Sequence, residues 1–212
     1  MSDEEIIAKC QPYTMTSLQR QIQTIRTIEH VISNKIDGDI VEIGVWRGGT
    51  VMIMLYKLMQ LGVNDRHVHL YDTFTGMTEA SEHDVEAPTG RHANEVWERV
   101  QCVADYNDVY TNITSVGYPM DKIHFHVGDI RQVEMNDIPA TISLLRLDND
   151  WFELYKFELP IFAPRVSKNG IITIDDYGHW NGCKKAVDDY IQATYPEKQI
   201  YKIDYTGVFW MV

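Results

Sequence analysis

Acidic side chains recur in this chain where short, strand-like apolar runs end. Glu42 lies within Asp39–Ile43, Asp72 follows His67–Tyr71, and Asp129 stands just past Ile123–Val127. Asp148 follows Ile142–Leu147, and Asp175-Asp176 follow Gly170–Ile174. Ligands of open α/β sheets sit beyond the carboxyl ends of the strands, so these acids are expected to floor a site. The stretch Val41-Glu42-Ile43-Gly44-Val45-Trp46-Arg47-Gly48-Gly49 leads from the first strand into an apolar helix. Its glycines permit a tight turn and close approach to a ligand, and the helix offers its N-terminus; taken alone, they also fit a plain strand-to-helix turn. The spacing is not G-x-G-x-x-G, and no Lys-Ser or Lys-Thr follows to make a phosphate-binding loop. An acid-lined pocket repels a dinucleotide and attracts a cation. S-adenosylmethionine, with a cationic sulfur and no phosphate, therefore suits the loop better than NAD, with Asp72 placed to accept hydrogen bonds from both ribose hydroxyls.

These residues need elements to position them. Thr16 and Gln19 have capping-box spacing, and Leu18, Ile22, Ile25, Ile28 and Ile32 recur at three and four residues, which predicts an amphipathic helix ending near Asn34 or Gly38. Val51–Leu61, Trp151–Phe162 and Cys183–Ala193 read as further helices. Strands alternating with helices imply right-handed crossovers and a mostly parallel sheet covered on both faces. Gln199–Ile203 and Val208–Val212, joined by Asp204-Tyr205-Thr206-Gly207, would close it as an antiparallel hairpin, making seven strands. Residues 1–37 form an N-terminal helical segment of what reads as a single 1–212 domain. Thr75–Asn94 holds Gly76, Pro88 and Gly90, shows no period, and is expected to be a mobile lid loop. Its Glu79, Glu82, His83, Asp84 and Glu86 read as solvated rather than as a second metal site. A helix is expected from Glu95 past Val103.

The composition narrows the classes. With 212 residues and 44% hydrophobic content the chain can bury one core. A net charge of −12 without a basic stripe argues against nucleic acid. The chain has no apolar run of membrane-spanning length, and its acidic start, Met1-Ser2-Asp3-Glu4-Glu5, is unlike a signal peptide, so a cytoplasmic protein is expected. Cys10, Cys102 and Cys183 read as ordinary thiols.

Gly38-Asp39-Ile40-Val41-Glu42-Ile43-Gly44-Val45-Trp46-Arg47-Gly48-Gly49, Asp72-Thr73-Phe74-Thr75-Gly76, Leu147-Asp148-Asn149-Asp150, Ile174-Asp175-Asp176-Tyr177-Gly178 and Asp204-Tyr205-Thr206-Gly207 together resemble the macrocin and mycinamicin O-methyltransferase family. The likeness runs from about Tyr13 to the C-terminus. It implies a Rossmann-like class I methyltransferase fold and a metal-dependent enzyme acting on sugar hydroxyls of natural products. It places Glu42, Ile43, Gly44, Val45 and Trp46 against the methionine part of the cofactor, Asp72 on the ribose, and Thr73, Phe74 and Gly76 beside it. Gly128, Asp129 and Ile130 would flank the adenine, and Thr14 and Met15 would close over the cofactor. Asp148, Asp175 and Asp176 fall on the family's magnesium ligands, with Asp148 also its proposed base. Asn149 departs from the family's usual glycine, and the chain is shorter than the antibiotic-modifying enzymes.

Three carboxylates from two adjacent strand ends make a hard-oxygen site of the kind Mg2+ accepts, whereas zinc would call for histidine or cysteine. Coordination lowers a hydroxyl's pKa and fixes its oxygen, and a vicinal diol would fill two positions at once. The expected partner is thus a small-molecule acceptor, with apolar residues on the first helix available to a homo-oligomer. His179 could assist proton transfer, although a solvated loop histidine is the plainer reading. Asp150 and Glu153 have capping-box spacing, so Asp150 reads as a helix cap. Trp46 and Phe74 either line the pocket or pack beside it, and Trp151, Trp180 and Trp210 carry no assignment. The rivals are an NAD-linked oxidoreductase, a non-catalytic binding protein on the same fold, and a catechol-type methyltransferase.

Overall fold

The computed structural model describes Met1–Val212. Seven strands, β1 (Asp39–Ile43), β2 (Val68–Asp72), β3 (Ile123–Val127), β4 (Ile142–Leu147), β5 (Val166–Ile174), β6 (Tyr201–Lys202) and β7 (Val208–Met211), form one sheet in the order β3-β2-β1-β4-β5-β7-β6. β1 to β5 pair in parallel, and β7 runs antiparallel to both β5 and β6. The expected architecture is therefore the observed one. The order reverses between β1 and β4, the place where open α/β sheets bind ligands.

Helices cover both faces. α1 (Asp3–Cys10), α2 (Leu18–Ser33), α3 (Gly49–Gln60) and α5 (Tyr106–Thr114) contribute to one core, and α6 (Phe152–Phe162) and α7 (Asn181–Thr194) to the other. α4 (Trp97–Val100) is a single turn. Alternation along β1 divides its residues, with Ile40 in the first core and Val41 and Ile43 in the second. Every residue of β4 is buried, as expected of a central parallel strand, yet one of them is Arg146.

Several local expectations need correction. α2 is capped by Ser17, whose side chain accepts from the Arg20 N–H, rather than by Thr16, whose hydroxyl lies 2.9 Å from that of Thr14. Its buried stripe is Gln21, Thr24, Ile25, Thr27, Ile28 and Val31, leaving Leu18 exposed. The helix expected past Val103 ends at Val100, before Cys102 turns left-handed with φ +43, and the chain restarts as α5 behind the Asp105 cap. Asp150 does not cap α6; it too is left-handed, φ +59, and its carboxyl accepts from Trp180 Nε1 at 2.6 Å. The α6 N-terminus is served instead by Asp84 Oδ1, which accepts from the Phe152 N–H at 2.8 Å. Asp84 and Glu86 are 0% and 1% exposed, so these two acids of the 75–94 segment are not solvated. That segment is tied to the loop before α7 by Ala87 N–H to His179 O and Asn181 N–H to Val85 O. Trp151, Trp180 and Trp210 are all core residues.

Candidate active site

The ends of β1, β2, β4 and β5 open into a cavity of about 410 Å³. Thr14, Met15, Glu42, Ile43, Gly44, Val45, Trp46, Asp72, Thr73, Gly76, Gly128, Asp129, Ile130, Asp148, Asp175, Asp176 and His179 all line it. Phe74 does not. Its buried ring packs edge-on against Tyr106, 5.5 Å between centroids, and only its N–H reaches inward, donating to Asp72 Oδ1.

The β1 loop and the β4 loop are in backbone contact. Gly44 has φ +82, and a Cβ there would lie 2.0 Å from the Asp148 carbonyl oxygen, so no side chain fits. Asp72 Oδ2 accepts the N–H groups of Val45 and Trp46 at 2.7 and 3.1 Å, which fixes this loop against β2. On the far side, Gly178 allows the β6–β7 turn to close over the acids, since a Cβ would meet Tyr205 O at 2.0 Å. Thr206 Oγ1 donates to Asp175 O from that turn, and Asp204 holds it by accepting from the Thr206 and Gly207 N–H groups.

Carboxylate oxygens of Asp148, Asp175 and Asp176 come within 4.8 Å of one another. The acids are organised by a residue that the sequence reading passed over. Arg146, 3% exposed, sits in register with Glu42 on β1 and Thr173 on β5. Its guanidinium reaches Glu42 Oε1 at 2.8 Å, Asp148 Oδ2 at 2.8 Å and Asp175 Oδ1 at 2.5 Å, joining three strands. Arg20 of α2 also pairs with Asp175 and, at 2.9 Å through Nε, with Asp204. Tyr155 of α6 donates to Asp176 Oδ2 at 2.8 Å.

Carboxyl groups outnumber cations here: Glu42, Asp148 and Asp175 contact the guanidiniums of Arg20 or Arg146, while Asp176 pairs with Tyr155 and Asp150 with Trp180. Burial pushes Glu42 up to about 8 against the pull of Arg146, and Asp150 up to about 7. Asp148 is held well above the carboxylate range by burial and then by Asp175 and Asp176, with Arg146 opposing. Burial also raises Asp176, with Asp150 and Asp175 adding to it. A divalent cation among these oxygens would lower the cost of ionising them. The donor set is all oxygen, which suits a hard ion.

His179 stands at the cavity wall between Tyr205, whose hydroxyl it meets through Nδ1, and Glu86, 3.3 Å from Nε2. Burial lowers its pKa while Glu86 opposes, so the ring tends to stay neutral. Glu86 also binds Arg99, another wall residue. Arg146 had a sequence signal, a charge inside Leu144-Leu145-Arg146-Leu147. Arg20 had none, because its partners Asp175 and Asp204 lie 155 and 184 residues away; Glu86 has local partners, Thr89 and Arg99, and only its contact with His179 is remote in sequence.

A family model described as macrocin O-methyltransferase (TylF) matches residues 8–211. The 8-demethyl-8-(2,3-dimethoxy-alpha-L-rhamnosyl)-tetracenomycin-C 4'-O-methyltransferase of Streptomyces olivaceus is 32% identical over 200 residues, 93% of this chain and 75% of that protein. The demethyldecarbamoylnovobiocin O-methyltransferase of Streptomyces niveus is 31% identical over 198 residues, again 93% and 75%. The solved structure of the O-methyltransferase NovP superposes with a TM-score of 0.83 at 31% identity, covering 94% of this chain and 81% of that one. With almost the whole sequence matched and the sheet order, glycine loop and acid cluster in place, the chain belongs to the macrocin O-methyltransferase family and is an O-methyltransferase.

Proposed function

We propose that the chain methylates a hydroxyl of a sugar or glycosylated small molecule, with S-adenosylmethionine as donor and Mg2+ held by Asp148, Asp175 and Asp176. The observation that carries this reading is the convergence of three carboxylates from two neighbouring strand ends on the same cavity as the β1 glycine loop. The relatives named above are by name sugar-linked or antibiotic O-methyltransferases, which supports a small-molecule acceptor.

The chain's residues divide the work. Glu42 to Trp46, Asp72 and Thr73 hold the methionine and ribose parts of the donor, with Gly128, Asp129 and Ile130 beside the adenine and Thr14 and Met15 over it. Bound there, S-adenosylmethionine supplies an electrophilic methyl on a cationic sulfur, and Mg2+ supplies acidification and orientation of the acceptor hydroxyl. Asp148, at the cavity edge with its side chain 27% exposed, accepts the proton that the hydroxyl loses. Arg146 and Tyr155 fix the directions of the acids, and the Thr206 contact keeps the Asp175 backbone from moving. His179 binds the acceptor or relays its proton at Nε2 if Glu86 yields that position. Such positioning is a large part of the rate. No helix is long and apolar enough to cross a membrane.

Calorimetry with S-adenosylmethionine tests donor binding, and transfer of labelled methyl to glycosylated acceptors carrying vicinal hydroxyls tests the class of substrate. Binding of the donor with Mg2+-dependent labelling of such acceptors supports the proposal. A protein that binds no donor with or without Mg2+ overturns it.

A further inference from the structure

Glu158 is an acid that the proposed chemistry leaves unused. It lies on the buried side of α6, 0% exposed, one helical turn after Leu154, itself a residue of the cavity wall. Its Oε2 is buried without a partner. The one hydrogen bond its carboxyl receives comes from Asn149 Nδ2, 2.6 Å from Oε1. A buried carboxyl so poorly satisfied costs stability, and an apolar residue of similar size would be the more stable occupant. Burial pushes its pKa up to about 8, with the Asn149 hydrogen bond opposing and Asp129 adding to the rise. Near neutrality it therefore serves Asn149 as a neutral acceptor.

Asn149 lines the cavity just past the end of β4. Its backbone is held independently of its side chain. The Asp148 N–H donates to Ile43 O at 2.8 Å, the Asp150 N–H to Asp176 Oδ2 at 3.2 Å, and the Trp151 N–H to Asn149 O at 2.6 Å. The amide nitrogen is spent on Glu158, so the amide oxygen, an acceptor, is turned toward the β1 loop. There Oδ1 lies 2.8 Å from the position a Gly44 Cβ would take, and it has no partner in the protein. The same corner adjoins the stretch that the proposed reading sets beside the adenine. α6 packs on the 3-10 turn Ile130–Gln132, and Asp129 is near enough to Glu158 to raise its pKa.

We propose that Asn149 is a further donor-binding residue, its Oδ1 accepting a hydrogen bond from the adenosine part of S-adenosylmethionine, and that Glu158 is the positioning residue that aims it; this rests on the donor reading above. Such a bond involves no charge on the sulfur, so it contributes alike to S-adenosylmethionine and to its demethylated product. Without Glu158 the amide turns about its broad terminal torsion and presents nitrogen as well as oxygen. An amide that must be ordered when the donor binds yields less affinity than one already held.

The test uses the full chain near neutrality, with S-adenosylhomocysteine titrated by calorimetry and 5′-methylthioadenosine, which lacks the amino-acid part, measured in competition with it. Asn149→Ala and Glu158→Leu should each weaken both ligands by about three- to tenfold. The double variant should bind no more weakly than Asn149→Ala alone, because Glu158 acts only through that amide. Glu158→Gln, which keeps a neutral acceptor in the same place, should stay within about twofold of the parent. Mn2+ affinity with the donor present should be the same in all of them, whereas a loosened Asp148 loop would weaken it. Glu158→Leu removes a poorly paired buried acid, so it folds even if Asn149→Ala, which strips that acid of its partner, melts early. Unchanged affinity in a folded Glu158→Leu protein, additive losses in the double variant, weakened Mn2+ binding, or a loss confined to S-adenosylhomocysteine overturns the proposal. A parent that binds neither ligand overturns the donor reading as well, whereas a parent that binds both and is matched by its variants overturns this inference alone.

Discussion

Arg146→Met probes the arrangement on which the acids depend. The substitution keeps an apolar stem of similar length in the buried β4 position but removes the cation joining Glu42, Asp148 and Asp175. Removing one partner of a buried ion pair costs about 3–5 kcal/mol. Glu42, held up to about 8, is mostly neutral at pH 7 and loses a hydrogen bond rather than a full ion pair. Asp175 keeps Arg20. The loss therefore falls near the lower limit, about 3 kcal/mol. At about 2–4 °C per kcal/mol for a domain of this size, the melting temperature drops by about 6–12 °C. Arg146→Lys, which keeps a charge but lacks the fork to span three acids, should fall between the two proteins. Thermal unfolding by circular dichroism in EDTA measures this. Added Mg2+ should recover part of the loss, because it neutralises the same oxygens. A shift under about 2 °C in EDTA would refute the view that Arg146 holds the cluster together.

Other expectations follow from single contacts. Asp148→Ala should abolish methyl transfer while donor affinity, read by calorimetry, stays within about threefold, since the proposed role of its side chain is to take the acceptor's proton and not to hold the donor. Gly44→Ala should lose donor binding, because its Cβ would collide with the Asp148 carbonyl at 2.0 Å in a left-handed conformation. Asp84→Ala, which uncaps α6, should cost about 1–2 kcal/mol in denaturant unfolding. Glu158 is buried, its Oε2 has no partner, and burial raises its pKa from 4.5 to about 8. The folded state therefore keeps a proton that the unfolded chain releases above about pH 4.5, so stability falls as pH rises through about 8 and levels off beyond. Glu158→Gln should lack that decline, so its melting temperature should gain on the parent's from pH 5 to 8; parallel profiles would contradict this.

Much of the scaffold was legible because buried parallel strands leave apolar runs bounded by polar residues. β1, β3 and β4 begin and end where their sequences suggest. β5 starts four residues early, at Val166 rather than Gly170, because Ser167-Lys168-Asn169 lies at a sheet end where polar residues are tolerated and no alternation marks the strand. α5 escaped notice because its buried positions, Val109, Asn112 and Ile113, include an asparagine. The acids of the site were visible as a pattern of strand endings, a property of local sequence. What orients them was not. Arg20 and Asp175 are 155 residues apart, and Asp84 serves a helix that begins 68 residues later. Of the two readings open for Phe74, packing beside the pocket is the observed one: at a left-handed φ of +53 its ring lies in the core against Tyr106, while its motif fixes the backbone around Asp72.

The account rests on Asp148, Asp175 and Asp176 gripping a hard divalent ion beside the methyl donor. Mn2+ as a paramagnetic stand-in for Mg2+, titrated into the chain with S-adenosylmethionine present and read as loss of the free-ion resonance, reports this directly. The account predicts a saturable Mn2+ site that Mg2+ displaces and that disappears in Asp176→Asn. Absence of that site in the parent protein, or its persistence unchanged in the folded variant, would contradict it.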